Sequence, residues 1–161
     1  MAFKLDSWAE DYVIPPCDLW NKRNPQADPL QCGTFRMDFL YEWPRGVLIL
    51  EFDENQHKHE DPRCELVRMY KMAHGYGGRP VSFIRYNPDA FKIKGQTQRT
   101  TKAVREAALL DLLQAGLYYE DYENFITIHY ICYDNDTEGL VRTLKFVDAA
   151  AFEAWIETVA P

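Results

Sequence analysis

Residues 35–57 have the sequence FRMDFLYEWPRGVLILEFDENQH, and this stretch decides the fold. Phe35 to Tyr41 has strand character, residues 43–46 supply a turn, and Val47 to Leu50 is a continuous apolar run. Short apolar runs bounded by turn residues are typical of strands that lie inside a sheet. The pattern therefore predicts a β-hairpin whose second strand is buried.

A dense group of acids follows the buried strand. Because side chains alternate along a strand, Glu51 and Asp53 share one face, and antiparallel pairing brings Asp38 towards Glu51. Three neighbouring carboxylates repel one another unless a cation offsets their charge, and ligation by oxygen alone suits Mg²⁺ or Mn²⁺. If the hairpin pairs in this way, the sequence predicts a divalent metal site at Asp38, Glu51 and Asp53.

Two further polar residues extend this candidate site. His57 lies just beyond the strand end, where an imidazole with a pKa near neutrality can accept a proton from an attacking water molecule. Gln56 could orient that water or contact a phosphate. The five candidates together suit metal-assisted phosphodiester hydrolysis. The alternative for His57 is an ordinary surface histidine.

The remaining patterns predict an α/β domain. Apolar residues recur at helical spacing between Arg63 and His74, and the strand at Pro80 to Tyr86 follows, so a parallel crossover is expected. We also expect a mixed central sheet flanked by helices. The other predicted elements are a short helix at Trp8 to Val13, a helix at Thr101 to Gly116, strands at Phe125 to Tyr133 and Leu140 to Val147, and a helix at Ala149 to Val159.

The length of 161 residues suits one domain, spanning residues 1–161. Within it we distinguish an N-terminal arm (1–34), a core that carries the candidate site (35–91) and a C-terminal extension (92–161). No motif indicates what residues 115–161 do.

The net charge of −7 argues against nucleic-acid binding, because affinity for a duplex depends on neutralising phosphates. The segment from Lys92 to Arg105, however, contains five basic residues and no acid. A solvated loop and helix start, or hydrogen bonding within a turn, would explain the same residues without DNA. The candidate DNA contacts are Arg85, Asn87, Lys92, Lys94, Arg99 and Lys102.

Four scattered cysteines without a close pair predict reduced thiols, and therefore an intracellular protein of the cytoplasm or nucleus of a host cell. The chain starts without a leader and contains no apolar run of membrane-spanning length, so we expect no membrane partner. Cys64 with His57 and His59 is a weak zinc alternative, since a fourth ligand is missing nearby.

The order of these motifs also resembles a known family. The segments are Arg36 to Leu40, Ile49 to His57, Cys64-Glu65 with Arg68-Met69, and Arg79 to Asp89. Together they resemble the PD-(D/E)XK nuclease superfamily, in particular its branch similar to very-short-patch-repair endonucleases, including virus-type and mobile-element homing endonucleases. The resemblance covers about residues 35–91.

The resemblance implies a restriction-endonuclease-like fold and Mg²⁺-dependent cleavage of DNA. It implies that Asp38 and Glu51 bind the metal, that Asp53 is an alternative or supporting ligand, and that His57 is the general base. The chain departs from the family where Asp53 replaces the usual lysine, so water activation falls to His57, with Lys58 as a possible surrogate ammonium. Glu10 or Asp11 could complete the metal site from the N-terminal helix.

Two other functions remain open from the sequence. The missing lysine and the acidic charge also suit a catalytically inactive nucleic-acid-binding or assembly module of the same fold. An RNA-directed nuclease is the second alternative. A monomer with one active site would nick one strand, whereas double-strand cleavage would require a homodimer.

Overall fold

The computed structural model describes residues 9–14, 35–118 and 123–159. Except for residues 9–14, the N-terminal arm predicted for residues 1–34 lies outside these ranges. The strands and helices of the described residues are β1 (Ala9–Ile14), β2 (Phe35–Trp43), β3 (Gly46–Phe52), α1 (Pro62–Gly75), β4 (Val81–Tyr86), β5 (Lys92–Ile93), β6 (Gln96–Thr97), α2 (Lys102–Tyr118), β7 (Ile126–Ile131), β8 (Val141–Phe146) and α3 (Ala149–Val159).

Six of the strands form one mixed sheet in the order β1-β2-β3-β4-β7-β8. β4 pairs in parallel with both β3 and β7, while the remaining neighbours are antiparallel. The predicted hairpin of β2 and β3 and the parallel β3–β4 pair are therefore confirmed. Since the carboxyl ends of β3, β4 and β7 meet at one edge of the sheet, residues that follow these three strands come together there.

The sheet buries both of its faces. One face, with Ile49 and Phe83, packs under α1 and α3, which contribute Tyr70 and Phe152 to the same core. The other face, with Leu48 and Ile84, packs under α2. This layered arrangement explains why β3 is an unbroken apolar run. The α/β class with a mixed sheet and flanking helices is confirmed for the described residues.

The N-terminal segment differs from the prediction. Residues 9–14 form a strand, not a helix, and Glu10 lies opposite Phe39 in β2. Val13 and Ile14 are β-branched residues that favour a strand, and β1 provides the edge of β2 with hydrogen-bonding partners. The proposed acid from an N-terminal helix, Glu10 or Asp11, therefore has no such helix to project from.

The C-terminal extension is part of the same sheet, because β7 pairs directly with β4. A small hairpin of β5 and β6, which the sequence patterns did not predict, precedes α2. Of the cysteines, Cys132 is a free, buried thiol as expected, whereas Cys64 is disulfide-bonded, so the expectation of a reduced thiol is wrong there. No helix among the described residues combines the length and apolarity needed to cross a membrane.

Candidate active site

The carboxyl ends of β3, β4 and β7 place charged residues side by side. In the parallel register, Glu51 lies beside Arg85, and Arg85 lies beside Tyr130. Asp53 and Tyr133 follow shortly after the ends of β3 and β7. The sheet topology therefore gathers residues from distant parts of the sequence at this edge.

Glu51 is a buried acid, only 9% exposed. Burial is the main cause that raises the pKa of its carboxyl group to about 8. The charge of Arg85 lowers this pKa, and the charges of Asp53 and Asp38 raise it. Among the described residues, we find neither a hydrogen bond nor an ion pair to its carboxylate. Since an ionised carboxylate is unstable in such surroundings, Glu51 is an acid that needs a proton or a cation.

Asp38 lies beside Glu51 at the end of the hairpin. Its Oδ2 accepts a hydrogen bond from the backbone N–H of Phe52 at 2.7 Å. The negative charge of Asp38 also contributes to the raised pKa of Glu51. Two of the predicted ligands, Asp38 and Glu51, are therefore electrostatically coupled neighbours.

Asp53 is fully buried and lies in a different set of contacts. Arg85 Nε donates to its Oδ2 at 2.5 Å, and the Tyr133 hydroxyl donates to the same oxygen. Its Oδ1 lies 3.3 Å from His57 Nε2. Asp53 is thus paired with a guanidinium from the neighbouring strand, although its charge still acts on Glu51.

His57 lies between two carboxylates. Nδ1 is 3.2 Å from Glu65 Oε2, and Nε2 faces Asp53. The hydrogen bond with Glu65 raises the pKa of His57, and this effect outweighs burial, which lowers it. Arg85 also donates to Glu65 and lies 3.2 Å from His57 Nδ1. Protonation of the imidazole is therefore favoured in this arrangement.

These contacts join five residues that we call the ionic network: Asp53, His57, Glu65, Arg85 and Tyr133. Glu65 is its second anion. Burial alone would raise the pKa of Glu65, but its hydrogen bond with His57 and the charges of Arg85 and Arg68 lower it well below the usual range. Arg68 Nη1 donates to Glu65 Oε1 at 2.7 Å from the next turn of α1. Glu65 is therefore a permanent anion of the site.

The turn that carries His57 has an unusual backbone. Asn55, Gln56 and His57 have consecutive positive φ angles of 53°, 57° and 50°. This left-handed conformation is unfavourable for residues with a Cβ atom, and such strain is found preferentially at functional sites. The surrounding hydrogen bonds hold it: Asn55 N–H donates to Asp89 Oδ2 at 2.8 Å, and Gln56 exchanges two hydrogen bonds with Asp134.

Gln56 is held by two hydrogen bonds with Asp134. Its amide nitrogen donates to Asp134 Oδ1 at 3.0 Å and its oxygen accepts from Asp134 N–H at 2.8 Å. Lys58 pairs with the other carboxylate oxygen of Asp134 at 2.9 Å. Gln56 and Lys58 thus tie the strained turn to the segment after β7.

Two predicted DNA contacts are buried. Arg85 is 5% exposed and bound to Asp53 and Glu65, and Asn87 is fully buried, with its amide donating to the Cys132 carbonyl at 2.7 Å. Asn87 Oδ1 also accepts from Asp89 N–H. These contacts favour the structural alternative for both residues.

The predicted basic segment lies at the surface. Lys94 pairs with Glu138 at 3.0 Å and Lys102 pairs with Glu106 at 3.4 Å. Lys92 and Arg99 are exposed, and neither has an ion pair within the described part of the chain. Lys92 and Arg99 are therefore accessible to an anionic partner, whereas Lys94 and Lys102 are exposed but paired with acids.

The described residues contain no group of three His, Cys, Asp or Glu side chains arranged to hold a metal ion. Of the predicted ligands, Asp53 is paired with Arg85, and the charges of both Asp53 and Asp38 raise the pKa of Glu51. Cys64 is disulfide-bonded, so it cannot supply the thiolate ligand that the alternative zinc site requires. A metal at this site would have two carboxylates from the described residues.

From the sequence, Glu65 and Arg68 were named only as part of the family resemblance and were given no role, and Tyr133 was not selected. Glu65 is in the first turn of α1, eight residues after His57, and a carboxylate there is also favoured by the helix dipole. Tyr133 gives no sequence signal, because its place beside Asp53 depends on the β4–β7 pairing.

Neither a protein-family model nor a curated protein matches this chain. What the structure defines is the class: an α/β protein whose mixed sheet carries a paired-acid site and an adjoining ionic network at one edge.

Proposed function

We propose that this protein is a metal-dependent endonuclease that hydrolyses phosphodiester bonds in DNA. One observation carries the proposal: Glu51 is a buried acid beside Asp38, with a pKa raised to about 8 and with no hydrogen bond or ion pair to its carboxylate among the described residues. A divalent ion would supply the missing positive charge. The order of acids and histidine that resembles PD-(D/E)XK nucleases supports the same function.

The two carboxylates suit Mg²⁺ or Mn²⁺. Mg²⁺ is commonly held by one or two carboxylates, with water and substrate phosphates completing its ligands. Asp38 and Glu51 would hold the ion. When bound, such an ion polarises a phosphodiester and lowers the pKa of water at the site.

His57, within the ionic network, would accept the proton that the attacking water molecule releases. Asp53 and Glu65 face the two ring nitrogens of His57, and Arg85 forms an ion pair with each of these carboxylates. Because the pKa of His57 is raised, the imidazole accepts a proton only in the more alkaline range. Glu51 is also ionised only near pH 8 and above unless a metal is bound, so cleavage should increase with pH.

The test is nicking of a supercoiled plasmid with Mg²⁺ or Mn²⁺. Glu51→Gln removes the charge but keeps the side-chain shape, so we expect cleavage to fall roughly a hundredfold or more. Glu54→Gln is the matched control, because Glu54 is exposed and lies three residues away. Equal loss in the two variants, or unchanged cleavage by Glu51→Gln, would reject the assignment.

A catalytically inactive nucleic-acid-binding module is the second candidate. The observation that favours it is the engagement of both His57 nitrogens together with the neutralisation of Asp53 by Arg85. It predicts that DNA binds without cleavage under any divalent ion. Parallel assays on DNA and RNA of one sequence would also separate a DNA nuclease from an RNA nuclease.

A further inference from the structure

A pocket of about 480 Å³ opens beside the ionic network. Its walls come from the start of α1, the end of α3, the turn after β3 and strands β7 and β8. Pockets of roughly 300–1,000 Å³ are typical of small-molecule sites. The paired acids Asp38 and Glu51 do not line it, so the pocket is a neighbouring site and not the metal site itself.

Aromatic side chains form much of its wall. Tyr130, Tyr133 and Trp155 all line the pocket, and the rings of Tyr130 and Tyr133 meet edge to face with centroids 4.9 Å apart. Trp155 is partly exposed, and its ring packs on Phe146 with a centroid distance of 5.0 Å. A rigid backing of this kind holds an aromatic platform in place for a planar ligand.

Polar and charged groups line the same pocket. Arg142 lies over the Tyr130 ring, 5.8 Å from its centroid, and Lys58 lies on the strained turn. His57, Glu65 and Arg85 belong to both the pocket and the ionic network. The acids Glu60, Glu65 and Asp134 also line the pocket, and Asp134 is paired with Lys58. The pocket thus combines apolar ring faces and hydrogen-bonding groups with one exposed cation, Arg142, that stacks on an aromatic ring.

We propose that this pocket binds the base of an unpaired nucleotide, an inference that rests on the proposed function. Aromatic platforms next to cationic side chains are the usual means by which proteins hold single-stranded nucleic acid, since every base has a stacking face. Enzymes that bind an extruded base use the same combination of stacking and edge hydrogen bonds. The pocket residue His57 contacts Asp53, and the charge of Asp53 acts on Glu51, so the pocket adjoins the acidic site.

The test compares two labelled single strands, oligothymidylate and the same backbone with abasic sites. Binding is measured by fluorescence anisotropy in EDTA, with Glu51→Gln as the background so that cleavage cannot interfere. Because stacking of a base contributes roughly a fivefold or greater gain in affinity, the strand with bases should bind at least that much more tightly. Equal binding of both strands, or binding of neither, overturns the proposal.

Variants locate the effect. Trp155→Leu removes the ring and should abolish the preference for the base-bearing strand, whereas Trp155→Phe should retain most of it. Arg142→Gln should weaken binding of the base-bearing strand more than Lys145→Gln, which removes the same charge three residues along β8. If Trp155→Leu fails to fold, the Arg142 comparison decides, and equal effects of the two β8 variants reject the pocket.

The outcome is separable from that of the nuclease assay. Absence of a base preference in the protein with an unaltered pocket, while plasmid nicking still depends on Glu51, rejects the pocket alone. A clear base preference without any metal-dependent nicking rejects the nuclease and leaves the pocket as a site for single-stranded nucleic acid.

Discussion

At the scale of single residues, Glu51 is the group of the site whose ionisation is made unfavourable by burial. Its carboxyl group is buried, and its pKa of about 8 lies far above the ordinary value of 4.5. Between these two values the folded protein retains a proton that the unfolded chain releases. Without metal, the contribution of Glu51 to stability is therefore fully present below about pH 4.5 and is lost as the pH rises through about 8.

This sign gives a prediction for the metal-free protein. Urea unfolding in EDTA from pH 5 to pH 9 should show that Glu51→Gln gains stability relative to the wild type as the pH rises, since the amide cannot ionise. His57 acts in the same direction, because its pKa is also raised, so the comparison with the variant isolates Glu51. A difference in the free energy of unfolding that stays constant across this range would contradict the raised pKa.

Mn²⁺ should counteract the loss of wild-type stability with rising pH. A cation at Asp38 and Glu51 favours the ionised carboxylate, so the stabilisation by Mn²⁺ should increase with pH in the wild type and be largely absent in Glu51→Gln.

At the scale of secondary-structure elements, Arg85 connects three of them. From β4 it binds Asp53 just after β3 and Glu65 in α1, and the side chains of all three are at least 88% buried. A buried network of this kind is stable only while its charges are paired. Its main structural effect is to hold α1 against the carboxyl edge of the sheet.

Replacing Arg85 by Met should therefore strongly destabilise the fold. The variant leaves Asp53 and Glu65 buried without their shared cation, and the free energy of unfolding should fall by about 3–5 kcal/mol. Arg99→Met is the control, because Arg99 is exposed, and it should change stability by less than about 0.5 kcal/mol. Chemical unfolding of both variants at pH 7 provides the measurement, and similar stabilities would show that the network is dispensable.

At the scale of the whole molecule, the C-terminal third completes the sheet. β7 covers the edge of β4, and α3 contributes Phe152 and Ile156 to the core that also contains Ile49 and Phe83. The candidate site depends on this segment as well, since Tyr133 comes from it. Residues 35–91 therefore carry most of the predicted site but not a complete fold.

A chain that ends at Tyr118 should consequently fail to fold. It would expose the edge of β4 together with the apolar face of the sheet under α3, a combination that promotes aggregation. We expect low solubility and no cooperative unfolding transition in urea by circular dichroism, in contrast to the full chain. A soluble truncated chain with a sharp transition would show that the core is independent.

Several features followed from the sequence alone because they depend on local patterns. The apolar run of β3, the helical spacing in α1 and the turn between β2 and β3 are periodic signals that neighbouring residues carry by themselves. The proximity of Asp38 and Glu51 was predicted in the same way, since hairpin pairing and side-chain alternation are short-range rules. The helix predicted at Trp8 to Val13 was wrong because a short segment takes the conformation of the edge that it pairs with.

Only the tertiary structure decided which acid meets which cation. Asp53 and Glu51 share a strand face, and the parallel register of β3 and β4 places Arg85 beside Glu51, yet the Arg85 guanidinium binds Asp53. The proximity of Glu65 and Tyr133 to the same carboxylate depends on packing between elements far apart in the chain. Electrostatic partners in a protein interior are set by distances of a few ångströms and by burial, and no local pattern of residues encodes either quantity.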